Sequence, residues 1–468
     1  MKVSRVVMKF GGSCLKSVNA FNEVLKAIRK YGKGSQLVLV PSAISGVTDQ
    51  LISMAKLAAS KKEFSGELNL LVERHIRMAR EVLRRGGEMF IEKVEVMRGK
   101  LARALSRVML EGLDDSFLAF IEGFGERLSG ALLESFLSDN GFRVELVDAE
   151  DVIVTFNSYL NGLPLLDETA ANVKERIAPL LEEGVHVVVP GFICKNADGK
   201  TAVLGRGGSD FTATILAYGL KDERSDVKVI LWKDVDGLLT ANPEYEERAR
   251  LIRDISYAEA KELAFFGAKL LHPLCLIPAE KKSIPVEIRN FWKMDSDECT
   301  VISNVVEAKA SVVKAVSGID KVAMITVEGE AMVSRPGTAA KLFTIMGEEN
   351  VNIKMISQSS SENNITLVID LMDKDKAVEA IKRSNFFGSR WIKIHVEDDV
   401  GLVSVVGVGM KNTPGIAARV CSALGRRGIN IRAIAQGSSE LNITLVVSRK
   451  DLKEAVKAIH DEFKLSEG

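Results

Sequence analysis

A repeated block in the last third of the chain restricts the possible folds more than any other sequence feature. The run Pro-Gly-x-Ala-Ala that starts at Pro336 recurs 78 residues later, from Pro414. The other matches at this offset are Asn352-Ile353 with Asn430-Ile431, and residues 356–368 with residues 434–446. Identity in register over this length does not arise by chance. Residues 310–390 and 398–468 are therefore interpreted as two copies of one module.

Each copy has the same predicted order of elements. Its hydrophobic and turn patterns indicate a strand, a Pro-Gly turn, a helix, two strands joined by a turn, and a second helix. The predicted helices are Ala339–Glu348 and Lys374–Arg383 in the first copy, and Ala417–Arg426 and Lys450–Phe463 in the second. This order predicts two βαββαβ modules of the ferredoxin-like type.

The first 302 residues have a different pattern, in which short β-rich runs alternate with helical stretches. Such alternation is typical of an α/β domain with a parallel sheet. The predicted strands are Val3–Phe10, Leu37–Val40, Val185–Val189, Ala202–Leu204, Val227–Trp232 and Pro285–Ile288. We divide this domain into a part at about 1–220 and a part at about 221–302.

The composition excludes several classes of protein. With 468 residues, 46% of them hydrophobic and 27% charged, the chain is a folded protein of about three domains rather than a disordered one. Its 63 basic and 63 acidic residues cancel, which argues against a nucleic-acid partner. The five cysteines have neither disulfide nor zinc-ligand spacing. The sequence has no secretory leader pattern and no long apolar run, so we expect a cytoplasmic protein without a membrane partner.

Several catalytic signatures are absent from the sequence. It contains no Gly-x-x-x-x-Gly-Lys phosphate loop, no Gly-x-Gly-x-x-Gly after a strand and no Gly-x-Ser-x-Gly elbow. The five histidines have no metal-ligand spacing, and we interpret His186 and His272 as structural. We therefore predict no protein-held metal and no nucleophile of the Ser or Cys type.

Glycine-rich turns at strand ends are the remaining candidates for chemistry. Lys9 precedes Gly11 and Gly12 at the end of the first predicted strand. Glycines let backbone N–H groups approach an anion closely, and the lysine adds a full positive charge. As an isolated string, a Gly-Gly pair is also compatible with a simple turn.

Other polar residues have two open interpretations when taken singly. In the run 205–210, Arg206 is suited to grip a carboxylate, whereas Asp210 could simply cap the helix that follows. Residues 42–48 present hydroxyls after the second strand, at the edge where ligands collect in open α/β sheets. Glu126 lies in a helical run and on its own would be a surface residue.

Together these motifs resemble the aspartate kinase family, in order and in approximate spacing, over nearly the whole chain. The motifs that carry the resemblance are Lys9-Phe10-Gly11-Gly12, Ser42 with Thr48, Phe124–Ser129, Gly191-Phe192-Ile193, Leu204–Asp210, and Phe266–Lys269 with Leu271-His272-Pro273. The repeated module resembles the paired ACT regulatory domains of that family. The resemblance implies an amino-acid-kinase-type three-layer α/β/α domain followed by two ACT modules.

The resemblance also implies a reaction. Aspartate kinases transfer the γ-phosphoryl group of ATP, bound with Mg²⁺, to the side-chain carboxylate of L-aspartate. That step opens the lysine, threonine and methionine branch of amino-acid biosynthesis. A carboxylate is already ionised at neutral pH, so the nucleophile needs no general base. The missing Ser, Cys and His constellations are consistent with this chemistry, in which the protein positions the reactants and neutralises charge.

Residue roles follow from the resemblance, position by position. Lys9 would stabilise the γ-phosphoryl group, and Asp210 would orient Lys9 or a substrate group. Arg206 would hold the α-carboxylate of aspartate, and Glu126 its α-ammonium. The other residues implied for the aspartate pocket are Ser42, Thr48, Phe192, Gly207, Gly208 and Ser209. The residues implied for ATP are Lys9, Gly11, Gly12, Lys233, Asp234, Leu239 and Lys269, with no tightly bound cofactor.

The nucleotide segment departs from the usual pattern of the family. Lys233 stands where a threonine is usual, and Leu239 replaces a tyrosine. Asn242 replaces an aspartate before the proline, and Glu244 replaces an arginine. The adenine and ribose contacts are therefore open, and one hypothesis is that Lys233 adds a cation near the phosphates.

The two ACT-like copies imply feedback inhibition by threonine or lysine, and the resemblance favours threonine. The side chains implied for the effector are Asn352, Gln358 and Asn364 in the first copy, and Asn430, Gln436 and Asn442 in the second. Each of them could instead bond its own backbone in a turn. Such modules commonly pair between chains, so we expect a homodimer or a homotetramer.

Two alternatives to this function remain. One is another amino-acid kinase, acting on acetylglutamate, glutamate or a nucleotide. The other is a non-catalytic amino-acid sensor built on a kinase fold, although Lys9, Arg206 and Asp210 are all present. No dinucleotide fingerprint follows the second copy, so we expect a monofunctional enzyme without a fused homoserine dehydrogenase.

Overall fold

A computed structural model describes residues 2–85, 87–266, 270–304 and 312–467. The described residues form two compact units. The first unit takes its residues from 1–238, 253–257 and 270–306, and the second takes them from 239–252, 258–269 and 307–468. Two short segments inside the predicted 1–302 domain are thus part of the second unit. The predicted domain limits stay predictions.

The first unit alternates strands and helices, as its sequence pattern predicts. Its strands are β1 (Val3–Phe10), β2 (Gln36–Pro41), β3 (Val144–Leu146), β4 (Val154–Thr155), β5 (His186–Val188), β6 (Ile193–Asn196), β7 (Thr201–Val203), β8 (Ser225–Lys233), β9 (Asp254–Ser256), β10 (Val286–Asn290) and β11 (Cys299–Ser303). Its helices are α1 (Val18–Gly32), α2 (Val47–Ala59), α3 (Ser65–Val82), α4 (Gly87–Glu111), α5 (Asp115–Glu122), α6 (Phe124–Asp139), α7 (Leu166–Arg176), α8 (Ala178–Glu182), α9 (Gly208–Leu220) and α11 (Ile277–Lys281). Helix α10 (Tyr257–Phe265) begins in this unit and continues in the second.

The main sheet of the first unit has eight strands in the order β3-β5-β2-β1-β8-β10-β11-β9. Strand β1 lies in the middle and is parallel to both β2 and β8, and β10 is parallel to β8. Strands β4, β6 and β7 form a separate small sheet.

Helices cover both faces of the main sheet. Met8 and Val7 alternate along β1 and both are fully buried, which a strand achieves only between two layers. Met8 belongs to a core formed with α1–α6, whereas α9 packs against β1, β2 and β8. The three-layer α/β/α fold inferred from the sequence is therefore confirmed.

The second unit is built on a six-stranded antiparallel sheet that joins the two repeat copies. Its strands are β12 (Ala315–Glu328), β13 (Ile353–Gln358), β14 (Asn364–Asp370), β15 (Lys393–Val406), β16 (Ala433–Gln436) and β17 (Asn442–Ser448), in the order β13-β14-β12-β15-β17-β16. Its helices are α12 (Thr338–Glu348), α13 (Lys374–Arg383), α14 (Ile416–Arg426) and α15 (Leu452–Glu462). These bounds lie within two residues of the four predicted helices, because local periodicity defines a helix well.

The two copies share their long central strands. In the second copy, β15 pairs with β17 through residues 400–406 and with Ala315–Ile319 of β12 on its other side. The second copy therefore completes its sheet with residues from the beginning of the first copy. Each copy has its own apolar core, one around Leu342 and Ile381 and the other around Val420 and Ile459.

None of the helices in the described part of the chain combines the length and apolar composition needed to cross a bilayer.

Candidate active site

The carboxyl ends of three neighbouring parallel strands bring the predicted motifs together. Phe10 of β1 lies in register with Pro41 of β2 on one side and with Trp232 of β8 on the other. Parallel strands end at the same edge of a sheet, so the turns that follow them are neighbours. The sequence motifs at 11–12, 42–48 and 233–234 therefore meet at one edge.

A buried cluster of three charged side chains lies at this edge. The Lys9 ammonium is 2.8 Å from Asp210 Oδ1, and the Lys233 ammonium is 2.7 Å from Asp210 Oδ2. Asp210 is 4% exposed and Lys9 is 7% exposed. Asp210 lies in the first turn of α9, whose N-cap is Gly207. Its side chain thus does more than cap a helix: it joins lysines from β1 and β8.

The environment keeps this cluster charged. Burial opposes the ionisation of Asp210, but Lys233 and Lys9 outweigh it and lower the pKa of Asp210 to about 2. For Lys9, burial also opposes the charge, yet attraction to Asp210 leaves the pKa raised. The pKa of Lys233 is lowered, by burial and by repulsion from Lys9. With both lysines protonated, two cations share one anion, and the cluster carries one excess positive charge.

Two buried thiols beside the cluster are neutral. Burial raises the pKa of Cys14 to about 11 and the pKa of Cys275 to about 12. A thiolate is the reactive form of cysteine, so neither residue is a nucleophile at neutral pH. The charge of the site is therefore set by the lysines and carboxylates.

The glycines after β1 allow close backbone packing. A Cβ atom on Gly12 would lie 2.5 Å from the carbonyl oxygen of Ala43 and 2.8 Å from the nitrogen of Ser45. A Cβ atom on Gly11 would lie 3.7 Å from Lys9 Nζ, so the Gly11 backbone is close to the ammonium. Gly12 is thus required by the neighbouring turn, and Gly11 leaves space beside Lys9.

Glu126 is buried rather than exposed, although its helical context alone suggested a surface residue. It lies in the first turn of α6 and is 4% exposed. Burial raises the pKa of Glu126 to about 8, although a hydrogen bond from the backbone of Ala43 partly opposes this. Its Oε2 atom has no hydrogen-bond partner among the described residues. A buried carboxyl with an unused oxygen is suited to bind a cation such as an ammonium.

The backbone is strained at Phe192, between β5 and β6. Phe192 has a φ of 69°, in the left-handed region that a bulky residue rarely adopts. Its backbone nitrogen donates to Thr212 Oγ1 at 2.9 Å, and a Cβ atom on Gly208 would lie 2.6 Å from the Phe192 ring. Such strain is concentrated at functional sites, where the surrounding structure enforces it.

Arg206 lies on the turn between β7 and α9 and is exposed. The glycines on both sides have positive φ, 75° at Gly205 and 72° at Gly207. A Cβ atom on Gly207 would lie 2.8 Å from His272 Cβ. The pKa of His272 is lowered, first by burial and then by the Arg206 charge. The turn therefore exposes the Arg206 guanidinium to solvent, and the nearby His272 imidazole is neutral.

The remaining predicted residues differ in where they lie. Half-buried Ser42 and Thr48 follow β2, and Ser209 is buried in the first turn of α9. Leu239 belongs to the second unit, where it pairs with Leu251. Lys269 lies outside the described residues.

Asp234 is exposed and accepts two side-chain hydrogen bonds. Ser13 Oγ donates at 3.0 Å and Trp292 Nε1 donates at 3.1 Å. Trp292 was not among the predicted site residues. Its position just after β10, which ends at the same sheet edge as β8, is the signal that could have identified it.

The six amides predicted for an effector fall into matched positions of the two copies. Gln358 and Gln436 end β13 and β16, and Asn364 and Asn442 begin β14 and β17. Asn352 directly precedes β13, whereas two residues separate Asn430 from the start of β16. The copies differ at one pair: Asn442 donates to the carboxylate of Glu262 on α10, whereas Asn364 donates to Asn363 at 3.3 Å.

Comparison with known sequences gives matches to two families. Residues 4–290 match the amino acid kinase family, and residues 325–384 and 403–463 match the ACT domain. The chain is 31% identical, over 476 residues, to the chloroplastic bifunctional aspartokinase/homoserine dehydrogenase 1 of Arabidopsis thaliana. That alignment covers 99% of this chain and 51% of the relative. The chain thus spans about half the length of the first curated relatives it matches.

Solved structures resemble the chain over nearly its full length. E. coli aspartokinase III in complex with aspartate and ADP has a TM-score of 0.80 and 26% identity, covering 98% of this chain and 99% of that one. The aspartate kinase of Clostridium acetobutylicum has a TM-score of 0.77 and 27% identity, covering 98% of this chain and 100% of that one.

Proposed function

Because the chain belongs to the amino acid kinase family, we propose that it is an aspartate kinase. The proposed reaction transfers the γ-phosphoryl group of ATP to the side-chain carboxylate of L-aspartate and forms 4-phospho-L-aspartate. The observation that carries the proposal is the buried Lys9–Asp210–Lys233 cluster at the carboxyl edge of the sheet. Similarity to aspartokinases over nearly the whole chain supports the choice of substrate.

The cluster suits a reaction between two anions. A carboxylate nucleophile and a triphosphate repel each other, and buried cations reduce that repulsion more effectively than solvated ones do. Lys9 is proposed to contact the γ-phosphoryl oxygens, with the Gly11 and Gly12 backbone beside it. Asp210 holds the ammonium of Lys9 in place and makes no contact with the nucleophile in this proposal.

The aspartate pocket is proposed to lie between α6, the turn after β2 and the turn before α9. Glu126 binds the α-ammonium, and Arg206 binds the α-carboxylate through parallel hydrogen bonds. The pocket wall is assigned to Ser42, Thr48, Phe192, Gly207, Gly208 and Ser209.

Magnesium is proposed to enter as part of the nucleotide substrate. Both oxygens of Asp210 are engaged by lysines, so this carboxylate is not an open metal ligand. Mg²⁺ commonly binds through substrate phosphates with few protein ligands. The nucleotide is assigned to Lys9, Gly11, Gly12, Lys233 and Asp234. The contacts implied for Leu239 and Lys269 stay predictions, because Leu239 belongs to the second unit and Lys269 lies outside the described residues.

A hydroxylamine trapping assay tests the function directly. An acyl phosphate reacts with hydroxylamine, so we expect ATP-dependent hydroxamate with L-aspartate and none with L-glutamate. Hydroxamate from glutamate or acetylglutamate instead would assign the chain to another amino-acid kinase. A folded chain that forms no acyl phosphate but binds an amino acid would be the sensor alternative.

The apparent affinity for aspartate is expected to rise with pH. Below pH 8 the Glu126 carboxyl is largely protonated and cannot pair with the substrate ammonium. The KM for aspartate should therefore fall about tenfold between pH 7 and pH 9, and level off above the pKa. Steady-state kinetics across this range measure the effect, and Glu126→Gln should have a high KM without this dependence. A KM that is flat in the wild-type chain would contradict the assignment.

Lys233 is proposed to bind the phosphates of ATP. Lys233→Ala should raise the KM for ATP about tenfold, because one charge-assisted contact is lost, and should leave the KM for aspartate nearly unchanged. Lys228→Ala, on the same strand, is the matched control. An unchanged KM for ATP and an unchanged kcat would remove Lys233 from the nucleotide site.

The repeat copies are proposed to bind an amino-acid effector that inhibits the enzyme. The proposed contacts are Asn352, Gln358, Asn364, Asn430, Gln436 and Asn442. We propose threonine as the effector, with lysine as the alternative. We also propose that the protein is cytoplasmic and forms a homodimer or a homotetramer. Titration of the activity with each amino acid tests this, and no response to either would contradict it.

A further inference from the structure

A side chain outside the predicted site motifs contacts the turn that carries Ser42. Arg74 lies on α3, and its Nη2 atom donates to the carbonyl oxygen of Ser45 at 2.8 Å. Ser45 belongs to the turn of residues 42–46, which we call loop 42–46. Arg74 was not among the predicted site residues, because it lies in a helical segment rich in charged residues and outside every motif considered above.

Loop 42–46 contacts residues proposed to bind ATP and residues proposed to bind aspartate. The nitrogen of Ser45 donates to the carbonyl oxygen of Gly12 at 3.3 Å, in the turn proposed to contact the γ-phosphoryl group. The backbone of Ala43 donates to the buried carboxyl of Glu126. A Cβ atom on Gly125 would lie 2.6 Å from Ala43 Cβ, so α6 packs tightly on the loop. A displacement of this loop would therefore move a donor away from Glu126.

The loop ends at a glycine whose side-chain position is open. Gly46 has a φ of 83° and no atom lies within 4 Å of the place where its Cβ would be. Glycine loses more backbone freedom on ordering than other residues do. A hydrogen bond from a guanidinium to the adjacent carbonyl offsets that loss and keeps the loop in one conformation.

We propose that Arg74 is a positioning residue for aspartate binding. By holding the Ser45 carbonyl, it keeps Ser42 at the pocket and the Ala43 N–H on Glu126, without touching substrate itself. The inference rests on the proposed function, because it concerns the same aspartate pocket.

The test compares three variants of α3 in the full-length chain. Arg74→Ala should raise the KM for aspartate about fivefold, as expected for the loss of one charge-assisted hydrogen bond. The KM for ATP should change less than twofold. Arg74→Lys should restore most of the affinity, since an ammonium can also donate to one carbonyl. Arg77→Ala, an exposed arginine one turn along, should behave like the wild-type chain.

A second readout separates positioning from a general loss of structure. The Ala43 hydrogen bond lowers the pKa of Glu126, so its loss in Arg74→Ala should shift the pH midpoint of the aspartate KM upward. An Arg74→Ala chain with wild-type KM and midpoint, in an active enzyme, would overturn the inference. Equal increases in both KM values would also overturn it, because the effect would then not be specific to aspartate. A wild-type chain that forms no acyl phosphate would instead overturn the proposed function.

Discussion

Replacing Lys9 by methionine is expected to lower kcat for phosphoryl transfer at least about a hundredfold, the usual effect of removing one preorganised donor from a buried site. Methionine keeps the length and much of the volume of the lysine stem but has no charge. Asp210 would then balance Lys233 alone, and the excess positive charge of the cluster would be lost. The repulsion between aspartate and the triphosphate would no longer be offset near the transferring group.

The measurement is the initial rate of hydroxamate formation at saturating aspartate and ATP. Lys16→Met is the matched control, because Lys16 is exposed and lies a few residues further along the same segment. Circular dichroism and the thermal midpoint should show that both variants are folded. Normal turnover by folded Lys9→Met would remove Lys9 from the reaction and with it the proposed mechanism.

Replacing Asp210 by asparagine should destabilise the protein and also impair catalysis. The change leaves two buried ammonium groups close together without a counter-ion, and breaking a buried ion pair on one side costs about 3–5 kcal/mol. We expect the free energy of unfolding to fall by about 3 kcal/mol at pH 7. The loss should become smaller as the pH rises, because burial lowers the pKa of Lys233 and the unpaired ammonium then loses its charge more readily than an ordinary lysine does.

Urea unfolding of the variants measures this effect. Asp210→Asn combined with Lys233→Met should regain part of the stability, since one unpaired charge is removed. Neither variant should regain full activity. A single Asp210→Asn change that leaves the free energy of unfolding unaltered would show that the lysines do not depend on Asp210.

The stability of the wild-type chain is expected to fall as the pH drops from about 4 toward 2. The pKa of Asp210 is about 2 in the fold, below the ordinary value of about 3.9 for an unfolded chain. Its ion pairs therefore contribute fully above about pH 4, and the contribution is lost as the pH falls toward 2.

Local patterns predicted the elements well. The helix of the first copy predicted at Lys374–Arg383 has those bounds in the structure, because apolar spacing and flanking turn residues lie within the segment itself. The glycine-rich turns after β1 and before α9 were also recognisable, since each follows a strand. The burial of Glu126, in contrast, could not be predicted from local patterns. Its helical context is the same whether the carboxyl faces water or the pocket, and its burial depends on tertiary packing, which includes the packing of α6 on loop 42–46.

The sequence by itself determined the α/β class of the first 300 residues, the two related modules and the turns that could hold an anion. Tertiary structure alone decided that Asp210 pairs with lysines from two strands, and that Ala315–Ile319 completes the sheet of the second copy. The physical reason is the range of the interactions. Periodicity and turn propensity act between residues a few positions apart, whereas charge pairing and strand order depend on groups that lie tens to hundreds of positions apart in the sequence and meet only when the sheet assembles.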